Sequence, residues 1–173
     1  MSTAPHRSGK PHLYSYVGPE EIAQRAMNTA RTRVESFSDV LEWAKTQAEP
    51  FIATFVVDAL GQLWVADRHS EHVACARGEA VQTAGELLFE LQGVQVEVAA
   101  ATNQSTGFCP QVESWGALQS ALEKADLPFP DGWTQAFEFR RCLRCNAINI
   151  VKEDWFVCLE CDAELPLQWN MQD

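Results

Sequence analysis

Phe51-Ile52-Ala53-Thr54-Phe55-Val56-Val57-Asp58, then Ala59-Leu60-Gly61-Gln62, then Leu63-Trp64-Val65-Ala66-Asp67 is the stretch whose reading decides the fold. The first run is rich in β-branched and aromatic residues and has the length of a buried strand. Gly61 marks a turn, and the second run returns, so the whole predicts a β-hairpin. Downstream, Val81 to Leu91 reads as a further strand, with Gly85 as a bulge or a point of close backbone approach. Gln92-Gly93 turns the chain. Val94, Val96 and Val98 then alternate with Gln95 and Glu97, the pattern of a strand with one wet face. Upstream, Leu13 to Val17 alternates around Tyr14 and Tyr16 and predicts a short strand.

Three helices flank these strands. Gly18-Pro19-Glu20-Glu21 opens one over residues 19–28, with proline in the first turn and acids placed for the helix dipole. Ile22, Ala26 and Met27 form its buried side. Residues 38–48 predict a second, through Val40, Leu41, Trp43 and Ala44, with Pro50 as its stop. Residues 115–125 predict a third, capped by Ser114, with Trp115, Leu118, Ala121, Leu122 and Ala125 on one face. The expected class is α+β: an antiparallel sheet of five or six strands with three helices.

The most specific chemical signal lies further on. Cys142-Leu143-Arg144-Cys145 and Cys158-Leu159-Glu160-Cys161 are two CxxC pairs separated by twelve residues. Each can fold into a knuckle that presents two thiolates to one ion, and two knuckles close a four-sulfur tetrahedron that suits zinc. Asn146 and Asp162, just after the pairs, tolerate the left-handed backbone a knuckle needs. Ala147 to Val151, Lys152-Glu153-Asp154 and Trp155-Phe156-Val157 read as strand, turn and strand. The segment resembles a zinc ribbon. Two disulfides, unrelated core thiols and a rubredoxin-like iron site are the alternatives. Four thiolates leave no open coordination position, so such an ion is structural.

The chain of 173 residues carries a net charge of -11, with 46% hydrophobic residues and six tryptophans. That composition fits one globular domain plus a small metal-stapled module. The expected division is a flexible tail over 1–12, an α+β domain over 13–134, and a zinc ribbon with a docking tail over 135–173. The acidic balance disfavours nonspecific nucleic-acid binding. Arg140, Arg141 and Arg144 are the one basic cluster, and nearby acids make it read as a solvated face or ion-pair partners. No segment has the apolar length of a membrane span, and the N-terminus lacks the apolar run of a secretory signal. Thiolate ligands fit a reducing compartment. The expected location is the cytoplasm.

A second group of reactive residues runs from Arg68 to Gly78 and reaches Cys109. His69-Ser70-Glu71 has the H-x-E form of zinc deaminases, but the P-C-x-x-C partner is missing. A cysteine hydrolase would use Cys75 or Cys109 with His69 or His72 as base. His69, His72 and Cys75 would line up as metal ligands on a helix, which this segment does not convincingly form. The plain alternative makes Cys75 and Cys109 core thiols and the histidines local hydrogen-bonding groups.

His69-Ser70, Gly78, Thr83-Ala84-Gly85 and Ser105-Thr106-Gly107-Phe108-Cys109-Pro110 are similar in order to a segment of plant IQ-motif calmodulin-binding proteins and bacterial relatives. The resemblance covers residues 69–125. It implies that residues 69–110 form one β-rich unit whose two polar loops converge. Phe108 and Cys109 stand where that pattern has histidine and tyrosine, and no catalytic role is implied.

The expected function is therefore a cytoplasmic zinc-binding adaptor that contacts another protein, with Cys142, Cys145, Cys158 and Cys161 as zinc ligands and no chemistry of its own. An enzyme with a site between the 69–75 and 105–109 loops is the first alternative. A nucleic-acid-binding zinc ribbon is the second.

Overall fold

The computed structural model describes residues 9–25 and 28–172. Residues 1–8 of the expected tail, and Ala26 and Met27 of the first helix, lie outside the described residues. The class is α+β. Five strands, β1 (Thr32–Val34), β2 (Phe51–Asp58), β3 (Leu63–Asp67), β4 (Val81–Gln92) and β5 (Gln95–Thr102), form one antiparallel sheet. Its order is β1-β3-β2-β4-β5. Strand β1 was not foreseen, because a three-residue edge strand is too short for alternation to show.

Strand β2 is the centre, and Ala53 to Val57 are all buried. One face, with Phe55, Val57, Leu87 and Phe89, packs under α2 (Phe37–Ala44) and α4 (Trp115–Lys124). The other face, with Val56, Ala66 and Ala84, packs under α3 (His72–Cys75) and α1 (Glu20–Arg25). A strand covered on both faces reads as a continuous apolar run, as β2 does.

The helices differ from expectation mainly at their ends. No residue of α1 is fully buried; Ile22 and Ala23 rest partly buried on the second face. Helix α2 begins at Phe37 because the Asp39 carboxylate accepts from the backbone N–H groups of Glu35 and Ser36, at 2.8 and 3.0 Å. It ends at Ala44, short of Pro50. Ser114 does not cap α4. Its hydroxyl donates to Gln111 O at 2.6 Å and meets the Thr83 hydroxyl at 2.9 Å, which ties the helix start to β4. Residues 72–75 form a short helix after all.

Leu13 to Val17 contributes one bridge rather than a strand: Tyr14 exchanges backbone hydrogen bonds with Val81. Val17 N then donates to Gly107 O at 2.7 Å, so this segment crosses from β4 to the 105–110 loop.

Gly85 is a point of close approach, not a bulge. A Cβ there would lie 1.9 Å from Thr102 O. Register shifts lie on either side of it: against β2 between Val57 and Asp58, and against β5 between Leu88 and Phe89, where Ala99 is the extra residue. The extra residue keeps Phe89, Val96 and Val98 in the core and turns Glu90 and Glu97 outward. Because the obstacle at Gly85 is backbone, Gly85→Ala is expected to cost about 3 kcal/mol. Urea unfolding of the variant beside wild type measures it, and an unchanged midpoint would refute the close-packing account.

Candidate metal centre

Strand β6 (Glu138–Arg141) enters the first knuckle and β7 (Ile148–Val151) leaves it, and these two strands pair antiparallel. This corrects the expected hairpin. Trp155 to Val157 is not a paired strand; it makes single bridges, Lys152 with Trp155 and Val157 with Glu164. Glu153 and Asp154 both have positive φ (50° and 56°), and Trp155 N donates to Lys152 O across a tight turn.

The two knuckles have the same local geometry. In the first, Cys142 N donates to Ala147 O and Asn146 N to Cys142 O, both at 2.9 Å. In the second, Cys158 N donates to Ala163 O and Asp162 N to Cys158 O. Asn146 and Asp162 take the left-handed conformation, at φ 66° and 59°. In each knuckle a backbone N–H is aimed at sulfur: Arg144 N at Cys142 Sγ and Glu160 N at Cys158 Sγ, each 3.4 Å.

All four Sγ atoms lie within 4.8 Å of one another. Across the knuckles Cys142 and Cys161 are 3.6 Å apart, and Cys145 and Cys158 are 3.5 Å apart. A tetrahedron with ligand bonds near 2.3 Å has sulfur separations of about 3.8 Å. The four cysteines are thus arranged to bind one metal ion. Cys142 and Cys158 are buried, and Cys145 is exposed. Burial opposes ionisation of Cys158, yet the Glu160 N–H and the Asn149 amide bring it down to about 6. The backbone N–H groups of Cys145 and Arg144 lower Cys142. Against the backbone N–H groups of Ala147 and Ala163, burial and the neighbouring sulfurs raise Cys145, to about 12, and also raise Cys161. A cation between the four sulfurs is what would hold all four as thiolates.

Asn149 is the residue that sequence reasoning missed. It is buried on β7, donates from Nδ2 to Cys158 Sγ at 3.4 Å and to Ala147 O, and accepts from Leu159 N at 2.9 Å. It thereby fixes one knuckle against the other. Between Ile148 and Ile150 it reads as the polar position of an alternating strand, so the sequence carried no signal for it. Arg140 is an ion-pair partner, 3.8 Å from Glu138, but it is buried rather than on a solvated face, and its guanidinium also donates to Phe139 O, Pro166 O and Leu167 O. Asn170 clamps Arg141 from both sides, and Trp169 Nε1 reaches Cys109 O at 2.8 Å, so the C-terminal segment bridges the knuckles and the sheet.

The other group of reactive residues does not assemble. His69 is exposed and pairs with Asp67 at 3.1 Å. His72 points the other way, with Nε2 2.8 Å from Gly85 O. A carbonyl only accepts, so the ring holds its proton on Nε2. Cys75, the last residue of α3, points into the core, with Sγ 3.7 Å from Trp64 O. Cys109 lies in a different cluster, with Phe139 and Met171, and Sγ donates to Thr106 O. Burial pushes both thiols up to about 12. A nucleophilic cysteine needs the opposite shift. Phe108 does join α3 in one apolar cluster, so the two loops meet through a core side chain. Among the described residues His69, His72, Cys75 and Cys109 form no second metal-binding group.

Compared with known proteins, the chain matches no protein-family model, no curated protein and no solved structure. The likeness to the IQ-motif proteins gains no support from them.

Two outcomes are expected here. Asn149→Ala should weaken metal binding by about 10- to 100-fold, the usual effect of removing an outer partner of a ligand, measured by chelator competition. Desolvation lowers the His72 pKa to about 4. The unfolded chain therefore binds a proton more readily, and the stability of the neutral ring is full above about pH 6.5 and lost as pH falls through 4. Wild type should lose on the order of 2 kcal/mol across that window relative to His72→Gln. Parallel slopes for the two proteins would disprove it.

Proposed function

We propose that Cys142, Cys145, Cys158 and Cys161 hold a structural zinc ion in a zinc ribbon, and that the protein is a cytoplasmic adaptor that binds another protein. The observation that carries the proposal is the set of four cysteine sulfurs within 4.8 Å of one another. Four protein ligands fill a tetrahedral ion and leave no position for substrate or water. Thiolates select zinc or iron, and zinc is the usual occupant of paired knuckles in a reducing compartment.

Partner binding is argued from where apolar surface remains. Leu143 and Leu159 occupy the same place in the two knuckles and are 81% and 78% exposed. Trp155 and Leu167 add 66% and 74% exposure. Four of the eight exposed large apolar residues among those described thus lie between residues 143 and 167. Leucine and tryptophan side chains left in water are the groups a partner-binding surface uses as anchors. The nucleic-acid alternative has weaker support, because Arg140 is bound to carbonyls inside the fold. Among the described residues no helix is long and apolar enough to cross a membrane.

Metal analysis of the purified chain beside a Cys142→Ser/Cys145→Ser variant tests the proposal. One zinc per chain in wild type and none in the variant is expected. Iron in wild type, or a metal surviving in the variant, overturns the zinc assignment. For partner binding, a cross-linked partner should be lost on Leu143→Ser/Leu159→Ser. Retention of every cross-link in that variant would rule out the knuckle tips as the contact.

A further inference from the structure

The hairpin between β4 and β5 ends in a two-residue turn, Gly93-Val94, with Gln92 opposite Gln95. Gly93 has φ 64°, as the first central residue of such a turn requires. The second central position is free to be polar, yet it holds Val94, 72% exposed. Val94, the 44% exposed Phe37 at the start of α2, and Pro128 line one cleft of about 560 Å³. Every charged residue lining it is acidic: Glu90, Glu97 and Asp126.

Glu90 and Glu97 are also direct cross-strand partners. Like charges directly opposite each other destabilise a sheet. Neither they nor Asp126 pairs with a cation among the described residues. The cleft therefore combines open apolar side chains with an uncompensated negative rim, and both costs would be relieved by the same kind of occupant. A second copy of this chain, at net charge -11, is electrostatically the wrong one.

We infer that this cleft docks a short cationic, apolar segment of a partner protein, with lysine or arginine facing Glu90, Glu97 and Asp126 and an aliphatic side chain set against Phe37 and Val94. The cleft lies on the sheet hairpin and uses no residue of the cysteine module, so it stands or falls apart from the zinc assignment.

The test titrates the ¹⁵N-labelled full chain with a seven-residue peptide alternating lysine and leucine, and with its glutamate–leucine analogue. Shifts at Phe37, residues 90–97 and Asp126 are expected for the first peptide and not for the second. Affinity should fall roughly tenfold in Glu90→Gln/Glu97→Gln, and with added salt, as charge contacts are removed or screened. It should also fall roughly tenfold in Val94→Asp, because loss of the apolar anchor outweighs the attraction of the added carboxylate for the cationic peptide. Glu90→Gln/Glu97→Gln should melt at a higher temperature than wild type, because the repulsion is gone. Shifts spread over the acidic surface, binding strengthened by Val94→Asp, or self-association through this face in sedimentation would each overturn the inference. Loss of peptide binding in Leu143→Ser/Leu159→Ser, with the cleft variants unaffected, would place cationic docking at the knuckles instead.

Discussion

Strand β2 has to be covered on both faces, and the rest of the molecule follows from that requirement. Its run from Ala53 to Val57 alternates between two cores, so neither face can be left to water. Helices α2 and α4 close one side, and α3, α1 and the Tyr14 segment close the other. At roughly 1.5–3 kcal/mol for each large apolar side chain buried, these two cores supply the main driving force. Short helices suffice because each is held by packing and not by its own propensity.

Covering both faces brings distant segments together, and their backbone polar groups then need partners. Buried asparagine and arginine side chains provide them. Asn103 donates to Pro110 O and Phe137 O and accepts from Phe137 N, joining the loop after β5 to the approach to β6. Asn149 does the same between β7 and the second knuckle. Arg140 holds the carbonyls of the C-terminal segment. An unsatisfied buried carbonyl costs more than a typical hydrogen bond contributes, so these few side chains fix the path of the connecting chain.

The same packing explains which reactive groups became inert. Cys75 and Cys109 are close to other titratable groups in sequence, but the fold sends their thiols into apolar clusters where ionisation is opposed. His72 is turned onto a backbone carbonyl beneath the sheet, while His69, three residues earlier, faces water. At Cys142 and Cys158 the balance is reversed, since N–H groups and an amide face those sulfurs and favour thiolate. Burial alone does not decide the chemistry of a cysteine; the donors around it do.

The sequence by itself determined the α+β class, the central hairpin, the long β4 strand and the four grouped cysteines. Each of these rests on local pattern: period-two alternation, an apolar run of strand length, paired CxxC spacing and left-handed positions at Asn146 and Asp162. Tertiary structure alone decided the rest. Which strand pairs across the first knuckle, that Ser114 binds Thr83 instead of capping α4, that Arg140 is buried, and that Asn149 supports a thiolate all depend on segments far apart in the chain. Spacing along a sequence fixes which groups a local turn can bring together. It carries no information about which remote backbone carbonyl will need a donor once two faces of a sheet have been closed.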